Sequence, residues 1–317
     1  MPTKSLRLGG FFLLLAVAVG LVLFLGSSGS ATGAPATTVP EVEKVLDHFK
    51  CWTAEGASAD RPAYLQDQFD QNTAGAVTHE SVVARRPEWF CNATQKKAFD
   101  PGTGTVHTAG INNLNDHLTC YKLEPLEQFA KWIVNVTNQF GDQRLQVIQP
   151  RDLCVPTQKR FVDDIRPEIG GGAPTNLDHF KCYTVDGQPV VKVVQLQDQF
   201  DRLVGPNNFE TVTQLQPYLL CNPVRKTVFT GYVNPLAASK AVRWNVTPIQ
   251  HPEAHLVCYK IQPQELLPHS LVLQNQFGPQ FVATNLSDLL CVPSLKQVII
   301  PPEPTPTPTC TPIFTHC

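Results

Sequence analysis

Leu46-Asp47-His48-Phe49-Lys50-Cys51 and Leu177-Asp178-His179-Phe180-Lys181-Cys182 are the same six residues written twice in one chain. The likeness extends outward from both. Leu65-Gln66-Asp67-Gln68-Phe69-Asp70 returns as Leu196-Gln197-Asp198-Gln199-Phe200-Asp201, and Phe90-Cys91-Asn92 as Leu220-Cys221-Asn222. His117-Leu118-Thr119-Cys120-Tyr121-Lys122 returns as His255-Leu256-Val257-Cys258-Tyr259-Lys260, and Asn138-Gln139-Phe140-Gly141 as Asn275-Gln276-Phe277-Gly278. Each copy closes on Leu-Cys-Val-Pro, at 153–156 and 290–293. Such self-similarity marks a tandem duplication, with one copy over residues 46–159 and the other over 177–296.

Each copy is a weaker duplication in turn. The phrases His-(Phe/Leu)-x-Cys, (Asp/Asn)-Gln-Phe and (Phe/Leu)-Cys-(Asn/Val) run in that order through residues 46–97, 116–159, 177–226 and 254–296. Within a unit the pattern is that of strands. Trp132, Val134, Val136, Asn138 and Phe140 fall on one face, with Asn135, Thr137 and Gln139 on the other, and Leu271, Leu273, Asn275 and Phe277 repeat the pattern. Val194, Leu196, Asp198 and Phe200 do the same. A period of two indicates half-buried antiparallel strands. The expected fold is all-β: two tandem homologous, disulfide-stapled domains, each a β-sandwich or β-barrel with an internal pseudo-twofold.

The ten cysteines contain no Cys-x-x-Cys, which argues against zinc and for an oxidising compartment. Every unit holds two, so the simplest connectivity is Cys51 to Cys91, Cys120 to Cys154, Cys182 to Cys221 and Cys258 to Cys291. A bridge closing a loop of that length contributes about 4 kcal/mol in the chain-entropy model. Residues 160–176, with Pro167, Gly170-Gly171-Gly172 and Pro174, read as a linker. Residues 297–317 form a Pro/Thr-rich tail of extended polyproline character, ending in Cys310 and Cys317, either a small loop or a site of intermolecular pairing. At the other end, Lys4 and Arg7 precede the apolar run Phe11 to Leu25 and the small residues of 26–34. That run is shorter than the roughly 20 residues of a spanning helix, which favours a cleaved signal peptide over residues 1–34, with Ala31 a plausible cleavage point, over a retained anchor. Either outcome places the rest outside the cytoplasm, secreted, periplasmic or at the cell surface, with membrane contact only if the segment is retained.

Hydrophobic residues at 42% against 16% charged exclude a charge-swollen disordered chain, and a net charge of −2 without a basic stripe excludes nucleic acid as a partner. Candidate sites are weighed against the repetition, because a scaffold residue recurs in each unit whereas a catalytic centre does not. His48, His117, His179 and His255 recur and read as strand histidines. Asp67 and Asp198, with Asn138 and Asn275 at the equivalent places, read as side chains satisfying backbone groups where strands end rather than as cation ligands. Trp52, Trp89 and Trp132 lie inside strand phrases and read as core. Trp244 lies in an insert of the second copy, 227–253, that has no match in the Gly-rich insert of the first, 98–115, where His107 lies. With His251 these are the candidate ligand contacts, since binding loops sit on rigid scaffolds. There is no nucleophile elbow, zinc-protease motif, phosphate loop or dinucleotide fingerprint, so no catalytic residue, metal or cofactor is assigned.

The repeated His-Phe-Lys-Cys, Leu-Gln-Asp-Gln-Phe and Leu-Cys-Val-Pro phrases, with the leader and tail, resemble a domain-of-unknown-function family of exported bacterial proteins. The resemblance spans nearly all of residues 46–296 and implies export and a bacterial source, with no activity attached. The expected function is a non-catalytic surface or secreted binding module, for a carbohydrate or another envelope protein. A structural envelope protein is the alternative, and an extracytoplasmic hydrolase lacking a linear motif the third reading. A hydrolase requires His107 or His251 to meet a carboxylate or nucleophile in a cleft; an exposed aromatic row favours binding over a purely structural role.

Overall fold

The computed structural model describes residues 41–70, 79–100, 102–124, 129, 131–162, 171–232 and 242–300. The leader, residues 163–170 of the linker and the tail from Pro301, including Cys310 and Cys317, lie outside the described residues. Unit 1 contributes β1 (Phe49–Gly56), β2 (Arg61–Gln66), β3 (Glu80–Ala93) and β4 (Gln95–Phe99), followed by β5 (Val106–Ala109). Unit 2 contributes β6 (His117–Glu124), β7 (Trp132–Asn138), β8 (Gly141–Pro156) and β9 (Gln158–Phe161). Unit 3 holds β10 (Phe180–Asp186), β11 (Val190–Gln197), the helix α1 (Gln199–Val204), β12 (Glu210–Pro223) and β13 (Arg225–Tyr232), followed by β14 (Val242–Thr247). Unit 4 is two long strands, β15 (His255–Asn275) and β16 (Gly278–Ile300). The chain is all-β and antiparallel apart from α1 and a short 3-10 turn at Glu41–Lys44.

In every unit the two cysteine-bearing strands lie side by side with their cysteines directly opposed. Disulfides close these pairs: Cys51–Cys91, Cys120–Cys154, Cys182–Cys221 and Cys258–Cys291. The same strands also pair from one unit to the next, β3 with β6, β8 with β10, β12 with β15, and β16 back to β1. The ring closes into an eight-stranded antiparallel barrel of pseudo-fourfold form.

This corrects the expectation of two domains that each carry their own sandwich or barrel. The described residues of both copies lie in one compact unit and share its barrel. The reason is strand number. One copy supplies only four barrel strands, and its two outer strands would present unpaired edges. About eight strands close around an interior that side chains can fill. Here alternation turns the eight half-cystines inward among Phe49, Phe180, Leu118, Leu219, Leu256 and Leu289. The Sγ atoms of Cys51 and Cys291 lie 3.7 Å apart and those of Cys154 and Cys182 3.5 Å apart, so neighbouring bridges touch.

Outside the barrel each unit projects a hairpin, formed by β2 with the start of β3, β7 with the start of β8, β11 with the start of β12, and the distal parts of β15 and β16. The strand that follows the second cysteine crosses to the opposite unit. β4 pairs with β11, β13 with β2, β9 with β15, and the end of β16 with β7. Units 1 and 3 exchange strands, as do units 2 and 4. The two inserts that do not match in sequence take the same structural part: β5 and β14 each add an outer strand to an exchanged one.

The Asp/Asn-Gln-Phe phrase locks these exchanges. Oδ1 of Asp67, Asn138, Asp198 and Asn275 accepts the N–H of the phenylalanine two residues on, at 2.8–2.9 Å. The other side-chain atom reaches the opposite unit. Asp198 Oδ2 accepts from Trp52 Nε1 at 2.7 Å and Asn92 Nδ2 at 3.0 Å. Asp67 Oδ2 accepts from the Tyr183 hydroxyl at 2.9 Å and Asn222 Nδ2 at 3.0 Å. In units 2 and 4 the amide donates instead, Asn138 to Tyr259 and Ser294, and Asn275 to Tyr121 and Thr157. Gly141 and Gly278, at φ +103° and +104°, turn the chain straight into the next strand there. Units 1 and 3 carry Asp70 and Asp201 at that place, and each binds a buried lysine of the opposite unit: Lys50 meets Asp201 at 2.9 Å and Glu210 at 2.5 Å, and Lys181 meets Asp70 at 3.2 Å and also Glu80. After Asp198 the chain continues as α1 behind a capping box, so Phe200 packs from a helix rather than from the expected strand.

Candidate functional site

Strand exchange builds the sheet β3-β2-β13-β14, and its two faces differ. Along β2, Ala63 and Leu65 are buried while Tyr64 and Gln66 turn outward. On β13, Lys226 points inward and Arg225 and Thr227 outward. The register sets Tyr64 beside Thr227, Thr227 beside Val246, and Gln66 beside Arg225. The Tyr64 ring lies 5.4 Å from Trp244 and 5.4 Å from His79, edge to face with both. The result is an open hollow of about 530 Å³ lined by Tyr64, Gln66, His79, Arg225, Thr227, Trp244 and Val246, with no carboxylate among them. Tyr64 remains 37% exposed and Trp244 45%, well above what core aromatics retain.

Partly exposed aromatic rings beside amide, hydroxyl and guanidinium groups can stack on the C–H face of a ligand ring and hydrogen-bond its polar substituents. The sister sheet β12-β11-β4-β5 has the same strand plan but exposes Val191, Val193 and Val106. The two sheets have therefore diverged on their solvent faces while keeping their buried ones.

Of the three candidate contacts, Trp244 sits in this hollow. His107 lies exposed on β5, at the other end of the strand order from β14. His251 lies in the turn before unit 4, its N–H donating to Asp178 Oδ2 at 2.7 Å and its Nε2 buried with no hydrogen-bond partner among the described residues. The structure does not bring the three together, and among the described residues no hydrogen bond or ion pair joins either imidazole to a carboxylate. Trp52 and Trp89 are buried, and Trp132 stacks on Phe69 at 5.3 Å. Sequence reasoning reached only Trp244 of the hollow. Tyr64, Gln66, Arg225 and Thr227 carried a usable signal as the outward positions of period-two strands, but their meeting depends on the exchange of β13.

The recurring histidines are buried between the barrel and its outer strands. Burial, then the nearby Lys96, Lys226 and Lys296 respectively, push His48, His179 and His255 well below the ordinary histidine range, so they are neutral. Lys96, Lys159, Lys226 and Lys296 recur at equivalent places, each 4.4–5.1 Å from the phenylalanine of the next unit's Gln-Phe phrase: Phe140, Phe200, Phe277 and Phe69. Burial lowers the first three to about 7 and Lys296 to about 8. Lys50 and Lys181 are raised instead, because the surrounding carboxylates outweigh the cost of burial. Among the described residues no group of three His, Cys, Asp or Glu side chains is placed to hold a metal, and no helix is long and apolar enough to cross a membrane.

No curated protein and no solved structure matches the chain. A family model does match, from His117, the first residue of β6, to Pro293, the end of the closing phrase of unit 4. The match covers more than half of the chain, and the chain therefore belongs to the family described as a repeat of unknown function, DUF7450.

Proposed function

We propose that this is a non-catalytic binding module that works outside the cytoplasm and takes a carbohydrate on the outward face of β2, β13 and β14. The observation that carries the reading is the exposed Tyr64–Trp244 pair, flanked by Arg225, Gln66 and His79 in an open hollow. A purely structural role gives no reason to hold two large aromatics in solvent on one sheet while the sister sheet presents valines. The four disulfides and the charged, apolar leader sequence support export, and the repeated phrases support a bacterial source. The test is a glycan array followed by titration calorimetry on the folded chain and on Tyr64→Ala and Trp244→Ala. Both side chains lie on the outer face of the sheet, more than a third exposed and outside the buried core, so the variants are expected to melt close to the parent while losing most of the affinity. Absence of glycan binding by the parent would point to the structural envelope role instead, and full binding by a chain carrying both Tyr64→Ala and Trp244→Ala would refute the site on β2, β13 and β14.

A further inference from the structure

The six recurring buried lysines fall into two chemical classes. Lys50 and Lys181 are held by carboxylates on two sides and stay charged. Among the described residues Lys296 has no such ion pair. Its Nζ donates at 2.8 Å to Oδ1 of Asn222, the same side chain whose Nδ2 donates to Asp67 Oδ2 at 3.0 Å. All three residues are buried, Asn222 completely, and the Phe69 ring lies 4.4 Å from the amine. The Tyr183 hydroxyl fixes Asp67 with a further bond at 2.9 Å. An amine, a carboxamide and a carboxylate are thus in line in a water-poor space between three units.

We propose that Lys296 and Asn222 join in an intramolecular isopeptide bond, with Asp67 moving the proton. The lone pair of the neutral Nζ attacks Cγ of Asn222, and the carbonyl π electrons move to Oδ1. Asp67 takes a proton from the attacking nitrogen and returns one to Nδ2. The Cγ–Nδ2 bond then breaks as the carbonyl re-forms, and Nδ2 departs as ammonia. One N–C bond replaces another, so no oxidant or co-reactant is needed. Holding the reacting groups together supplies much of the rate of such a step.

The charge state is suited to it. Burial brings Lys296 down to about 8, against the pull of Asp67 and Glu253, so a sizeable share of the amine is unprotonated in mildly alkaline solution. His255, the other titratable group facing this lysine, is neutral and does not compete for the proton from Asp67. The related set in the opposite half, Lys159, Asn92 and Asp198, differs at one point: Lys159 Nζ is bonded to Gln199 Oε1. Lys96 and Lys226 have no asparagine in the corresponding place, because Val292 and Val155 stand there. One cross-link per chain is therefore expected.

The bond would tie the last barrel strand covalently to β12. It is tested by mass spectrometry of the folded full-length chain after incubation at mildly alkaline pH, followed by reduction, denaturation and peptide mapping. The expected result is an intact mass short by one ammonia and a branched peptide joining Lys296 to Asn222. Lys296→Arg and Asn222→Ala should abolish it. Asp67→Asn should leave the disulfides formed but slow formation roughly 100-fold or more. Full recovery of both linear peptides from folded parent protein would overturn the proposal without reference to any variant. Formation in Asp67→Asn at the parental rate would overturn the role given to Asp67.

Discussion

Asp198→Asn is expected to be far more damaging than its isosteric character suggests, even though units 2 and 4 use asparagine at that very place. Asp198 accepts four hydrogen bonds: Oδ1 takes the N–H groups of Phe200 and Asp201, and Oδ2 takes Trp52 Nε1 and Asn92 Nδ2. An asparagine has one acceptor atom. If its oxygen keeps the turn, its amide nitrogen faces two N–H donors; if it flips, the two backbone donors are orphaned. Either way two buried donors lose their acceptor, at about 1–3 kcal/mol each. The loss of charge beside Lys50 adds to this, because Asp198 acts on that lysine more strongly than Asp201 or Glu210, which remain. Total cost should be about 2–6 kcal/mol, a large part of the roughly 5–15 kcal/mol that a domain possesses. Asn138 and Asn275 avoid the conflict because their amides face hydroxyls, which can accept. Asp67→Asn is intermediate: the Tyr183 hydroxyl can turn to accept, leaving one donor, Asn222 Nδ2, without a partner, for about 1–3 kcal/mol. Urea unfolding with disulfides intact, followed by tryptophan fluorescence and circular dichroism, gives both numbers. The reasoning fails if Asp198→Asn unfolds within about 0.5 kcal/mol of the parent, or if Asp67→Asn costs as much.

Two further outcomes are expected. Lys96, Lys159 and Lys226 titrate near 7 in the fold and near the free lysine value when unfolded, so between these limits the unfolded chain binds more protons. Stability should therefore rise as pH is taken from 7 to about 9.5, by up to roughly 1.4 kcal/mol per pH unit for each lysine. Calorimetric melting across that range checks it; a flat or falling melting temperature refutes it, and Lys96→Met should reduce the slope. Asp152 stands opposite Cys182 on the inner wall of the barrel, where units 1, 3 and 4 place Trp89, Leu219 and Leu289. Among the described residues neither of its oxygens has a hydrogen-bond partner, Arg151 is 3.7 Å away, and burial pushes its carboxyl well above the usual range. Asp152→Leu should stabilise the chain by about 1–3 kcal/mol, read as a higher urea midpoint; a destabilised variant would show that the carboxyl has a role the barrel depends on.

The β class was legible because its signal is local: Trp132, Val134 and Val136 alternate within a few residues, and alternation fixes which face is buried. The four-unit repeat was legible for the same reason, since like phrases compare without knowledge of space. The shared barrel was not. Nothing in His48–Cys51 states whether both strands beside Phe49 belong to the same copy or, as found, one of them carries Cys291 of the other. Pairing of that kind is decided by closure of a ring, a property of all four units together. The hollow was hidden for a related reason: Trp244 could be noticed as an aromatic in an unmatched insert, but Tyr64 reads as one more strand residue until β13 crosses over from unit 3.

Closure also sets a rule on how a chain of this design can change. In an open stack of repeats a copy can be gained or lost at an end, because each contacts only its neighbours. A ring in which the fourth unit pairs back to the first, and the last strand of each unit pairs with the hairpin of the unit opposite, has no end at which to add one. A fifth unit would leave a strand without a reciprocal partner, and a third-order ring would leave no unit opposite. Copy number is frozen at four, and variation is confined to what hangs from the exchanged strands, where β5 and β14 already differ.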